Sequence, residues 1–293
     1  MILQRSAACV LVLLLAASTG CGADKGGVGD ATGQGSTKGS GGKSGSSGFT
    51  FDIPDGGANN GTSGGLGGNG SGENSNCEPN LTGIVRDFTP KHADFESYSG
   101  SGASKGIVKD ELGADRKPVY AQMGAFTDPK NGKQVTSKQT YDQWYRDTDG
   151  INIRIEHRLT LTKQANGISS FDSNAFFPAD GKGFGDFGTS GHNFHFTFEL
   201  HTEFVYQGGE VFTFKGDDDL WVFINGKLAL DLGGLHSSVE QSVNLDAIAA
   251  TFGLAKNGKY NLELFHAERH SNQSNFRIDT NINFTNCDAI IID

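Results

Sequence analysis

Residues 215–234 read KGDDDLWVFINGKLALDLGG, two alternating apolar segments joined by Asn225-Gly226. Leu220, Val222 and Ile224 fall on one side of a period-two strand, with Trp221 and Phe223 on the other, so both faces are expected to be buried. Asn-Gly predicts a type I′ hairpin turn, because that turn needs positive φ at both central residues. Leu228, Leu230 and Leu232 return as the partner strand, which stops at Gly233-Gly234. Directly ahead of the hairpin stand Asp217, Asp218 and Asp219. They have two readings. In one they form a solvated loop in which an Asp caps a turn. In the other, carboxylates crowded at the mouth of a buried hairpin have their mutual repulsion relieved by a hard cation, Ca²⁺, which takes oxygen ligands from Asp, Asn and backbone carbonyls.

Working outward, Phe194, Phe196, Phe198 and Leu200 alternate with His195, Thr197, Glu199 and His201, which predicts a half-buried antiparallel strand with a polar face. Further strands are expected at 81–88, from Ile151 to Leu161, at 204–206 and 211–214 around Gly208-Gly209, at 260–264, and from Phe276 to Phe284. Two short helices are expected. One is SKQTYDQWYR at 137–146, capped by Thr136 or Ser137, with Tyr141, Trp144 and Tyr145 on its apolar face. The other is LDAIAATFGL at 245–254, behind Asn244 or Asp246. Many short strands, Gly-rich turns and one or two short helices define an all-β class, an antiparallel β-sandwich.

The chain has 293 residues, and its 43 glycines concentrate near the N-terminus. A formal net charge of −10 disfavours nucleic acid as a partner and favours cations. With 21 phenylalanines and two methionines, the core is expected to be aromatic and β-branched. Residues 1–21 read as an export signal: Arg5 precedes a short apolar run at 10–17 that cannot span a bilayer. The run closes on Ser18-Thr19-Gly20-Cys21, similar to a bacterial lipoprotein cleavage box, which makes Cys21 the lipidated residue and anchors the protein in the cell envelope. Plain secretion is the alternative. Residues 22–76 are Gly, Ser, Asn and Thr with scattered charge, a flexible tether with a reach of roughly 40 Å. Residues 77–293 form the folded part. Cys77 and Cys287 bracket it, and in an exported protein their pairing would stabilise it by about 4 to 5 kcal/mol; two free thiols are the other reading.

The run from His192 through KGDDDLWVFINGKLALDLGGLH, with VNLDAIAATFGL and YNLELFHAERHSNQSNFRIDTNI after it, resembles the fibro-slime domain of bacterial and slime-mould surface proteins. LTGIVRDF, HADFE and LGADRKPVY are similar to that domain's N-terminal part. The domain is a branch of the protective-antigen-type β-sandwich, a module known for sugar binding in adhesins, toxins and glycosidases. The resemblance implies that Asp217 and Asp218 hold a Ca²⁺ that also contacts sugar hydroxyls. Asp219 stands where relatives often carry Gly or another small residue. A second calcium loop is implied at 268–275, offering Asn272, Asn275 and backbone carbonyls.

The candidate metal ligands are therefore Asp217, Asp218, Asp219 and Asn275. Trp221 reads as core from its strand position, and is kept with His236, Glu268, Arg269 and His270 as a candidate ligand contact. His236, His266, His270 and Glu268 form an alternative transition-metal set, although three of them share one strand parity. Glu268 with an aspartate could serve a hydrolase as paired carboxylates. No nucleophile elbow, His-Glu zinc helix or phosphate loop accompanies them. The expected function is a non-enzymatic, monomeric surface module that binds glycan or a matrix polymer through Ca²⁺. A structural or protein-interaction module without a sugar site is the alternative.

Overall fold

A computed structural model describes residues 80–96, 102–121, 135–271 and 273–286. The expected export signal, tether, lipidation at Cys21, the Cys77–Cys287 pair and Asn272 lie outside these residues.

Twelve strands and two helices follow in order. The first part holds β1 (Asn80–Phe88), α1 (Lys138–Asp142), β2 (Asn152–Thr160), β3 (Thr162–Lys163) and β4 (Ser169–Ser173). Next come β5 (Phe196–Val205), β6 (Val211–Gly216), β7 (Asp219–Ile224), β8 (Lys227–Leu232) and β9 (Val239–Asn244). The chain continues with α2 (Leu245–Phe252), β10 (Lys259–Glu268), β11 (Phe276–Thr280) and β12 (Phe284–Asn286). The larger sheet runs β2-β1-β5-β10-β7-β8 with β12 added to β5, and the smaller runs β3-β4-β11-β6-β9. All pairings between these strands are antiparallel, as the sequence pattern predicts.

The central hairpin forms as expected. Asn225 and Gly226 have φ of 51° and 74°, the left-handed pair that a type I′ turn demands. Val222 pairs with Leu230 but Phe223 with Leu228, so Ala229 is an extra residue in a bulge. All six residues of β7 are buried. Their two faces join different cores. Leu220, Val222 and Ile224 meet Phe198, Phe214, Leu264, Phe276 and Ile278 between the sheets. Trp221 and Phe223 instead join Phe265, Tyr141, Trp144 and Tyr145 in a second core on the outer face of the larger sheet. Each such side chain contributes about 1.5 to 3 kcal/mol by leaving water, so β7 is held from both sides.

That outer layer corrects two expectations. The polar face of β5 is not solvated: Thr197, Glu199 and His201 are 0, 3 and 4% exposed. A carboxylate survives there because Lys117 Nζ lies 2.7 Å and Arg86 Nη1 3.1 Å from Glu199 Oε1. Burial raises a carboxyl pKa, but His201, Arg86 and Lys117 together hold that of Glu199 down at about 2. The first helix is also shorter than expected, ending at Asp142. Its cap is Ser137, whose hydroxyl accepts from Thr140 N at 3.1 Å. Trp144 and Tyr145 follow in a turn, where burial rather than helical phase places them in the outer core.

Candidate functional site

The three aspartates carry the chain from the smaller sheet to the larger: Asp217 and Asp218 lie between β6 and β7, and Asp219 is the first residue of β7. Gly216 is required ahead of them, because a Cβ there would collide with the Asn275 carbonyl oxygen. This close approach brings the loop after β10 against the acidic loop. The Asp217–Asp218 peptide is cis. Asp217 accepts from Asn275 N at 2.6 Å and from Asn275 Nδ2 at 2.8 Å. Its carbonyl oxygen accepts from His266 Nε2 at 2.8 Å, which assigns the proton to that nitrogen. Asp218 accepts from the backbone amides of Arg269 at 3.2 Å and His236 at 3.3 Å. Asp219 turns inward. Its Oδ1 accepts from Gly234 N at 2.6 Å, and its Oδ2 lies 2.7 Å from Arg269 Nε, with both side chains fully buried.

Arg269 is braced on its far side. Nη1 donates to the Asp94 carbonyl oxygen at 3.2 Å, and Cζ lies 5.1 Å from the Trp144 ring centroid. Asp94 in turn accepts from Trp144 Nε1 at 3.1 Å. A second brace runs through Glu96, which accepts from Ser271 N and Oγ, both at 2.9 Å, and lies 3.1 Å from His195 Nε2.

The electrostatics are lopsided. Asp217, Asp218, Asp219 and Glu268 are all buried here, and Arg269 is the guanidinium among them. Burial drives the pKa of His266 down to about 4, so the ring is neutral and cancels none of this charge. Asp218 is pushed up to about 7 by burial, Arg269 pulling down and Asp219 and Asp217 pushing further up. Burial, then Asp218 and Asp217, raises Glu268 well above the usual carboxylate range. Among the described residues Glu268 Oε2 has no hydrogen-bond partner. A buried acid group with an empty acceptor and too few cations is chemically suited to a cation. Carboxylate oxygens that already accept one hydrogen bond keep a second lone pair for it. Among the described residues no group of three or more His, Cys, Asp or Glu is arranged to hold a metal by itself.

The candidate residues thus divide. Asp217, Asp218, Asn275, Glu268 and Arg269 meet at this pole, and His236 joins through its backbone amide. The His236 ring lies against the Ser237 and Leu232 carbonyl oxygens, 3.1 Å from each. His270 sits half-buried just past β10. Trp221 is fully buried in the outer core, its Nε1 donating to Asp231 Oδ1 at 3.0 Å, which leaves it no surface to offer a ligand. Arg277 lies on the smaller sheet, paired with Asp279 and Asp172. Sequence reasoning gave no site role to Asp94, Glu96 and Ser271, and read Trp144 only as a core residue. Nothing local marks them: the Glu96–Ser271 bonds span 175 positions.

Comparison with known proteins shows what the C-terminal part of the chain is similar to. Residues 178–292 match the PA14 domain family. The PA14 match contains the acidic loop, the hairpin and the loop after β10, whereas Asp94, Glu96 and Trp144 precede it. Protein psiD of Dictyostelium discoideum is 40% identical over 218 residues, covering 71% of this chain and 42% of psiD. Protein psiQ of the same organism is 36% identical over 220 residues, covering 70% of this chain and 21% of psiQ. The chain therefore spans less than half the length of these curated relatives. Among solved structures, a PA14 sugar-binding domain from an RTX adhesin aligns at 10% identity over 69% of this chain and 90% of its own, with a TM-score of 0.31. The PA14 domain of the MpAFP antifreeze protein aligns at 10% identity over 72% and 86%, with a TM-score of 0.26. At such TM-scores the likeness is loose.

Proposed function

We propose that the acidic pole holds a Ca²⁺ and that the protein uses it to bind a glycan, as a non-enzymatic module displayed at the cell surface through Cys21. The observation that carries this reading is the uncompensated charge: four buried carboxylates against one guanidinium, with Asp218 and Glu268 both displaced upward. Asp217 and Asp218 would bind the ion, with Asn275 supporting Asp217 from the neighbouring loop. Asp219 has a different task. Tied to Arg269 and Gly234, it fixes the direction in which its two neighbours point. A hard cation takes six to eight oxygens and exchanges water for vicinal hydroxyls, so a polyol ligand can complete a set that the protein begins. The sugar-binding PA14 domain among the structural neighbours and the PA14 match itself agree with a binding role.

The test is calorimetric titration of Ca²⁺ into the full chain and into Asp217→Ala plus Asp218→Ala, followed by a glycan panel with and without chelator. Saturable calcium binding that the double variant loses, together with chelator-sensitive glycan retention, is the expected result. Calcium binding with no glycan retained would leave the ion a structural part of an interaction module. No calcium binding at all would remove the reading.

A further inference from the structure

The glycan reading leaves unused one feature at the same pole. Among the described residues only two large hydrophobic side chains are exposed, Ile153 at 38% and Phe184 at 42%. Phe184 stands at the crest of the loop between β4 and β5, amid residues 181–186, all exposed. Water contact of an aromatic ring is unfavourable by about 25 cal/mol per Å², and fold stability gives no reason to place one there. The crest is nevertheless firmly held. Asp87, fully buried at the end of β1, accepts from Phe184 N through one carboxylate oxygen and from Asn193 Nδ2 at 2.7 Å through the other. A Cβ on Gly183 would collide with that carboxylate, so the glycine lets the crest approach Asp87. Asp180 ties the two legs of the loop by accepting from Asn193 N at 2.8 Å and lying 2.7 Å from His192 Nδ1. The His192 ring stacks on Phe177 at 4.0 Å. A buried carboxylate thus serves to hold the backbone that carries an exposed ring.

The register of the larger sheet says where. Asp87 pairs with Phe196, Phe196 with Glu268, and the adjacent Ala267 with Asp219. The Phe184 anchor and the acidic loop therefore lie along the edge formed by one set of strand ends, three strand spacings apart, about 14 Å. A single pyranose ring spans only part of that distance. Lys182 and Asp186 flank Phe184, both exposed, and supply a donor and an acceptor of the kind that sugar hydroxyls require.

We infer that Phe184 is the stacking platform of a distal subsite, and that the ligand is an extended oligosaccharide lying along this edge from the acidic loop to the Phe184 crest. This rests on the proposed glycan function and adds the length of the ligand to it. A pyranose presents an apolar C–H face that lies flat on an aromatic ring, the usual way an apolar wall and a few polar groups share one sugar.

The experiment measures affinity of the full chain, with calcium, for gluco-, manno- and xylo-oligosaccharides from monosaccharide to hexasaccharide. The unchanged protein is compared with Phe184→Ala and Phe184→Tyr. For the series that binds, affinity is expected to rise with length. Phe184→Ala should remove that rise, weakening the longest ligand by between about twofold and tenfold, the scale of one aromatic contact, and leaving the monosaccharide unchanged. Phe184→Tyr should keep it. Equal weakening at all lengths, or none, overturns the subsite while leaving the glycan function intact. If the unchanged protein binds no member of any series but captures an aromatic-rich peptide through Phe184, the crest is a protein contact and the inference fails. If it binds nothing, the glycan reading fails and takes the subsite with it.

Discussion

Glu199 on the larger sheet and Asp218 in the loop that leads into it are both buried carboxylates, 3 and 7% exposed, and their environments drive them in opposite directions. His201, Arg86 and Lys117 hold Glu199 at about 2 against burial, whereas burial, joined by Asp219 and Asp217, raises Asp218 to about 7 over the pull of Arg269. The difference lies in completion. Glu199 has its opposing charges within the fold, so the outer layer closes over it as structure. The acidic loop lacks them, and a group with that deficit is where a ligand cation gains most.

The contrast is sharpest if a partner of Glu199 is removed. Lys117→Ala is expected to destabilise the protein by about 3 to 5 kcal/mol, because it strips a buried ion pair of one member; urea unfolding reads this, and a loss under about 1 kcal/mol would erase the distinction. Asp218→Asn should act in reverse. In the presence of chelator at neutral pH it is expected to stabilise by on the order of 2 kcal/mol, since it removes a carboxylate whose ionisation the fold opposes. With calcium the same variant should be the less stable protein.

A melting-temperature profile separates the two sites by pH. Asp218 binds its proton more tightly folded than unfolded, so its contribution is full below its ordinary 3.8 and is lost as pH rises towards about 7. Glu199 is the opposite case: its contribution is present above its ordinary 4.5 and is lost as pH falls towards about 2. In the difference between the unchanged protein and Asp218→Asn, the opposite slope of His266 between about 4 and its ordinary 6.5 cancels. The Asp218 contribution so isolated should decline from about pH 4 to 7 without calcium, and calcium should remove most of that decline. To the undifferenced profile Asp87, raised to about 6 by burial, adds a share that calcium leaves in place. A calcium-independent profile would contradict the charge deficit. The smallest effect is expected at Arg277→Ala, within about 0.5 kcal/mol and without change in glycan binding, because its pairs with Asp279 and Asp172 are surface pairs.

The same contrast explains what the sequence could reveal. The hairpin is legible because its causes are local: Asn225-Gly226 supplies the positive φ, and alternation in 220–224 marks two buried faces. What covers the second face is not, since Trp144 and Tyr145 sit in a turn and Val108 and Tyr120 in a single bridge. The Glu199 face looks solvated because a buried charge paired with a lysine 82 positions away gives the same alternation as an exposed one. At the site, Asp217, Asp218 and Asn275 are visible as a carboxylate run and a facing loop. The inward turn of Asp219 is not, because Arg269 is 50 positions away and its brace at Asp94 farther still.

The outer core has an optical consequence. The chain contains two tryptophans, and both are there, Trp144 and Trp221, with ring centroids 6.3 Å apart. Trp144 lies under the guanidinium that grips Asp219, and Trp221 is the residue next but one to Asp219 on the same strand. Emission on excitation of tryptophan therefore originates from one spot, directly beneath the acidic loop. The protein carries its own label for events there, and a change in charge at Asp217 or Asp218 should shift or quench that emission without any dye attached.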